Sequence, residues 1–176
     1  MKKFFLLAVF TLMCMGSYAQ LVTSNRVTVE KKKASALWLD FGIGAFSGDV
    51  ADTGLGVDLG LRWNKSFTEN IGWDIIKVKA QSDTKNFSEL MTVQAMTGVR
   101  GTTPVLFGNS TVFGAAGLGY GYMTDVEEGG FCWEVSAGVN LTPRFLVGVA
   151  YNSQGVSVEG FTFHVNYVSL RLGVNF

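Results

Sequence analysis

Two prolines, two cysteines and one histidine are all that the 176 residues contain of those types. The cysteines are Cys14 and Cys132, and the first falls in an amino-terminal segment that reads as a cleaved signal. An exported chain left with Cys132 alone forms no internal disulfide, so no covalent staple is expected. His164 stands far from Cys132 in sequence, which gives no metal-ligand spacing. Charge is scarce and balanced, with 14 basic and 14 acidic side chains. That balance supplies no drive towards nucleic acid. Beyond the amino-terminal segment, no run approaches the ~20 apolar residues that a membrane helix requires.

The amino-terminal segment has the three parts of a secretory signal. Lys2 and Lys3 precede an apolar run from Phe4 to Met15, and Ser17-Tyr18-Ala19 fits the small-x-small cleavage pattern. A lipid-modified Cys14 would need a small residue before it, and Leu12-Met13 does not supply one. The expected division is a signal over 1–19, a periplasmic leader over 20–34 and a barrel domain over 35–176. Cleavage removes two lysines and no acid, taking the formal charge from +0 to −2. The leader lacks periodicity, and its Lys31-Lys32-Lys33 run reads as solvated linker.

What the chain has in place of long apolar runs is alternation. Leu37, Leu39, Phe41, Ile43 and Ala45 alternate with Trp38, Asp40, Gly42 and Gly44. Leu55, Val57, Leu59, Leu61 and Trp63 alternate with Gly56, Asp58, Gly60 and Arg62. A period of two puts one set on each face of a strand, and an apolar face backed by a charged one suits a strand between lipid and a polar lumen. Comparable segments begin near Ile71, Met91, Val112, Phe131, Phe145 and Phe161. The fold expected is all-β: an antiparallel up-and-down transmembrane β-barrel of about eight strands. The 22 glycines suit the narrow interior of such a barrel.

Two strands break phase. In the third, Lys77 and Lys79 fall on the apolar side, so either a β-bulge near Ile75-Ile76 flips the phase or the strand has left the membrane. In the eighth, the phase changes around Tyr167-Val168, which points to a second bulge. With a periplasmic amino terminus, outward aromatics sort into two girdles. Trp63, Trp73, Phe145 and Phe176 fall at one depth. Tyr120, Tyr122, Phe131, Trp133, Tyr151, Phe161 and Phe163 fall at the other.

The inward charges expected from this phasing are Asp40, Asp58, Arg62, Asp74, Arg100, Glu134 and Arg171. In a small barrel they must pair or meet water, so they form a candidate lumen network. The same residues would serve a narrow gated pore in which an arginine changes partners. His164 has Asn166 two positions on, and no local motif makes a catalytic triad with it. It reads as an inward or rim side chain, and Cys132 as an interior filler. No catalytic, cofactor-binding or metal-binding residue is expected. Asp125, Glu127 and Glu128 share one outer loop and Asp49 and Asp52 another, on loops of about six to eight residues. These carboxylates read as solvated, with a cation bridge to lipopolysaccharide as the alternative.

The signal ending Ser17-Tyr18-Ala19-Gln20, the alternating strands and the terminal Arg171-Leu172-Gly173-Val174-Asn175-Phe176 together resemble the small outer-membrane β-barrels of the OmpA/OmpX type, often labelled porin-like. The resemblance covers Ser35 to Phe176. It implies residence in the outer membrane, contact with lipid and lipopolysaccharide, and insertion by the barrel assembly machinery. Arg171, Gly173 and Phe176 would carry the assembly signal, polar-x-Gly-x-x-aromatic, although one x-aromatic pair of the common form is missing. A structural or surface-interaction role with a filled lumen is the function expected. The alternatives are a porin-like channel and a lipid A-modifying enzyme, since such enzymes on barrels of this size use a histidine with serine or acidic partners. A soluble ligand carrier is disfavoured, because the outward faces would leave an apolar belt in water.

Overall fold

The computed structural model describes residues 35–48, 54–84, 91–106, 108, 110–158 and 160–176. The signal, the leader, Asp49 and Asp52 lie outside the described residues. The alternating segments become eight strands: β1 (Ser35–Gly48), β2 (Leu55–Ser66), β3 (Ile71–Asp83), β4 (Thr92–Thr102), β5 (Thr111–Met123), β6 (Glu128–Asn140), β7 (Phe145–Val158) and β8 (Phe161–Asn175). Each pairs antiparallel with the next, and β8 returns to β1 over Trp38↔Asn175 to Gly48↔Val165, closing the barrel. Closure gives every strand two neighbours and removes the exposed edges that an open sheet would present to lipid. The shortest strand has 11 residues and the longest 15, enough for the ~9–11 that a tilted membrane strand needs.

The expected phase holds through β1 and β2, with Trp38, Asp40, Asp58 and Arg62 inside. In β3 the bulge is present. Trp63 pairs with Ile76 and Asn64 with Asp74, so Ile75 has no opposite residue on β2. The register with β4 shifts over the same stretch, from Asp74↔Gly98 to Lys77↔Met96. One inserted residue reverses the faces, and Lys79 becomes 0% exposed while Val78 is 42% exposed. The strand therefore does not turn away at Lys77.

The second expected bulge is absent. β8 keeps unbroken register with both β1 and β7, and Val165, Tyr167, Ser169 and Arg171 all lie inside. The apparent phase change came from apolar residues that belong to the interior. Phe161 and Phe163 share that inward phase and leave the outer girdle; Phe161 is exposed only because it sits at the hairpin tip. Loop lengths also need correction. Four residues separate β2 from β3, β5 from β6 and β6 from β7, and two separate β7 from β8, whereas the β1–β2 connection has six and the β3–β4 and β4–β5 connections eight each, as expected. Asp125 and Glu127 stand in the β5–β6 turn, where Glu127 takes a left-handed φ of 55°, and Glu128 opens β6.

Candidate functional site: the filled lumen

Two apolar layers bound the interior. At the end that carries Ser35 and Phe176, Trp38, Phe113 and Leu146 pack together with Ala36 against them. At the opposite end, Phe46, Met123, Val156, Val165 and Tyr167 form a second layer. The Phe46 and Tyr167 rings lie 4.5 Å apart. Between these layers the barrel holds ion pairs and amides.

The ion pairs form two clusters. In the first, Arg62 Nε lies 3.3 Å from Asp40 Oδ2 and its Nη1 lies 3.7 Å from Asp74. Asp74 also accepts from Asn64 at 2.9 Å and faces Arg100 at 3.9 Å. The two guanidinium groups lie over the lower apolar layer, Arg62 at 5.3 Å from the Trp38 centroid and Arg100 at 4.1 Å from that of Phe113. These cation–π contacts couple the charge layer to the apolar one beneath it.

Glu134 organises the second cluster. Arg171 donates to both of its oxygens, at 2.7 and 3.0 Å, and Lys79 donates to Oε2 at 3.0 Å. Lys77 donates to Oε1. One carboxylate therefore pairs with three cations, all of them buried. Arg171 alone reaches another acid, Asp58, at 3.7 Å. A Cβ on Gly42 would stand 2.0 Å from Asp58 Oδ2, so the carboxylate occupies the space that only glycine leaves.

Above the charges lies an amide layer. Gln94 Nε2 donates to Asn152 Oδ1 at 2.9 Å and to Gln154 Oε1 at 2.8 Å. Asn152 Nδ2 in turn donates to the Trp133 carbonyl at 3.2 Å. Thr92, Gln81 and Cys132 complete this buried level. A cavity of about 20 Å³ remains beside Asp74, Lys77, Arg100 and Glu134, where Gly117 and Ser136 leave room. That volume accommodates roughly one water molecule.

All seven charges expected in the lumen lie there, and each takes part in an ion pair. Lys77 and Lys79 were missing from that set. The signal for them was available, since two lysines on a lipid-facing phase demand a bulge. Of the terminal motif, the Arg171 side chain is committed to Glu134, and Gly173 lets Asp40 and Leu146 approach. Phe176 is exposed, with its backbone N–H donating to the Leu37 carbonyl at 3.0 Å. His164 lies opposite Gly155 near the upper rim, exposed rather than in the lumen. Among the described residues, no group of three or more His, Cys, Asp or Glu side chains is placed to hold a metal ion.

No family model and no curated protein matches the sequence. Solved structures do match. Neisserial surface protein A superposes with a TM-score of 0.65 at 13% identity, over 82% of this chain and 98% of that one. The chain has the fold of the small outer-membrane β-barrels. The outer membrane enzyme PagL gives a TM-score of 0.60 at 16% identity, covering 78% of this chain and 98% of its own. The amino-terminal barrel domain of Pseudomonas aeruginosa OprF gives 0.51 at 12% identity, covering 81% and 98%. At these identities the barrel is shared and the chemistry is not transferable.

Proposed function

We propose that this chain is an integral outer-membrane protein with a structural or surface-interaction role, whose lumen is closed to solutes and whose barrel is not an enzyme. One observation carries the reading: apolar, ionic, amide and apolar layers follow one another through the interior, and the cavity beside Glu134 has room for about one water. Export by a cleaved signal would place Ser35 at the periplasmic end, with the Asp125–Glu128 turn outside. Insertion would use the barrel assembly machinery, with Arg171, Gly173 and Phe176 as its signal. The partners are outer-membrane lipid and lipopolysaccharide, with no nucleic acid and no cofactor.

Gel mobility of boiled and unboiled protein from isolated outer membranes tests the location. A compact band that slows on boiling is expected, and a monomer soluble without detergent would overturn the reading. Planar-bilayer recording tests the lumen. No steady current is expected; a salt-dependent conductance altered by Arg62→Ala or Arg100→Ala would establish the channel instead. Lipid A from a deletion strain should be unchanged, and acyl transfer or release lost in His164→Ala would establish an enzyme.

A further inference from the structure

On the outward face, three cross-strand rows of β1, β2 and β3 change character towards the end that holds Ser35. Leu39, Leu61 and Val78 make the first row, and Leu37, Trp63 and Ile76 the second. Ser35, Lys65 and Trp73 make the third. The Ile75 bulge falls between the second and third rows on β3. A bulge bends its strand and raises the local twist. Beside this one lies an open apolar groove of about 410 Å³, floored by Leu37, Leu61, Trp63, Ile76 and Val78.

One row beyond the groove, across from its lining residue Ser35, the surface turns polar in a specific way. Lys65 is exposed, and among the described residues it makes no hydrogen bond or ion pair. The indoles of Trp63 and Trp73 flank it, one two positions back on β2 and one directly across on β3. Trp73 is held in place by a 2.8 Å hydrogen bond from Nε1 to Thr97 Oγ1 and by stacking on Phe67 at 6.1 Å. Aromatic rings and a lysine at the end of an apolar band mark the level of lipid headgroups. A positive charge there without a protein partner is complementary to a phosphate.

We propose that this groove binds one anionic phospholipid, with an acyl chain along the apolar rows and its phosphate on Lys65. The proposal rests on the membrane reading above. It differs from ordinary lipid solvation, in which a lysine merely extends to the interface, because both the groove and the charge are needed for selectivity.

The test uses the full chain with Trp133→Phe, which removes the tryptophan at the other end of the barrel. It is inserted into phosphatidylcholine vesicles containing a rising fraction of chain-brominated phosphatidylglycerol or chain-brominated phosphatidylcholine. Tryptophan quenching should favour the anionic lipid about fivefold, the worth of one lysine near a headgroup. Lys65→Gln should bring the two lipids to parity, and so should Val78→Phe, which fills the groove but keeps the charge. Equal quenching in the parent, or a preference that survives Val78→Phe, would overturn the site. Absence of a heat-modifiable band after reconstitution would overturn the membrane reading itself, and the site with it.

Discussion

Replacing Glu134 by glutamine removes one charge that three cations share. Arg171 keeps Asp58 at 3.7 Å, so the loss concentrates on Lys77 and Lys79. Glu134 is the only carboxylate within 4.0 Å of either lysine among the described residues. Breaking a buried ion pair by deleting one partner costs about 3–5 kcal/mol, and two abandoned ammonium groups put this case at the upper end. With a urea dependence of about 2 kcal/mol per molar, the unfolding midpoint should fall by about 2 M. Tryptophan emission of the vesicle-inserted barrel, titrated with urea in both directions, measures it. The variant Glu134→Gln with Lys77→Met and Lys79→Met removes the stranded cations and should recover most of the loss, since apolar replacements of buried ion clusters are often neutral. A midpoint for Glu134→Gln within about 0.3 M of the parent (under 1 kcal/mol at that slope) would refute the reasoning. It would mean that water or more distant acids, not Glu134, neutralise the lysines.

Three further outcomes follow from the same geometry. Deleting Ile75 should return Lys77 and Lys79 to the lipid side at about 2–4 kcal/mol each; the chain should then give no heat-modifiable band, and a normal band would show that the bulge does not set the phase. At Gly44 a Cβ would meet the Val168 carbonyl oxygen at 2.0 Å, whereas at Gly114 nothing lies within 4 Å. Gly44→Ala should therefore lose about 1–3 kcal/mol in the urea titration, while Gly114→Ala should stay within about 0.5 kcal/mol of the parent. Trp38→Ala combined with Phe113→Ala removes most of the lower apolar layer. It should lower stability by at least about 3 kcal/mol and admit a measurable ionic current, and an electrically silent, equally stable double variant would show that the layer does not seal the lumen.

The strand count, the antiparallel order and seven of the inward charges were legible because lipid imposes an asymmetric rule. A charge on a membrane strand reports the inside, since the outer face tolerates almost none. This is why Asp40, Asp58, Arg62, Asp74, Arg100, Glu134 and Arg171 could be placed from phase alone. An apolar residue reports nothing so definite, because the lumen also uses apolar layers to close its ends. Phe163, Val165 and Tyr167 look like lipid-facing residues and are inside or share the inward phase; that resemblance created a bulge in β8 where the register is continuous.

The same asymmetry should have decided β3. Lys77 and Lys79 could not stay on the apolar phase of a spanning strand, so the inserted residue at Ile75 was the only arrangement that kept the strand in the membrane. Once the bulge is granted, both lysines join the lumen and reverse its expected excess of acid. Which acid they meet was not legible, because phase assigns a face but not a depth. Glu134 is 57 positions from Lys77, 55 from Lys79 and 37 from Arg171. Their meeting depends on the stagger of strands around the closed barrel, which is a property of the whole ladder. Function is harder to read than either, since ion-paired lumen charges serve to hold a barrel together without requiring a ligand. The outward groove differs on that point. Lys65 is exposed and has no partner among the described residues, whereas the lumen cations are all paired. Its charge is therefore free to select something outside the chain.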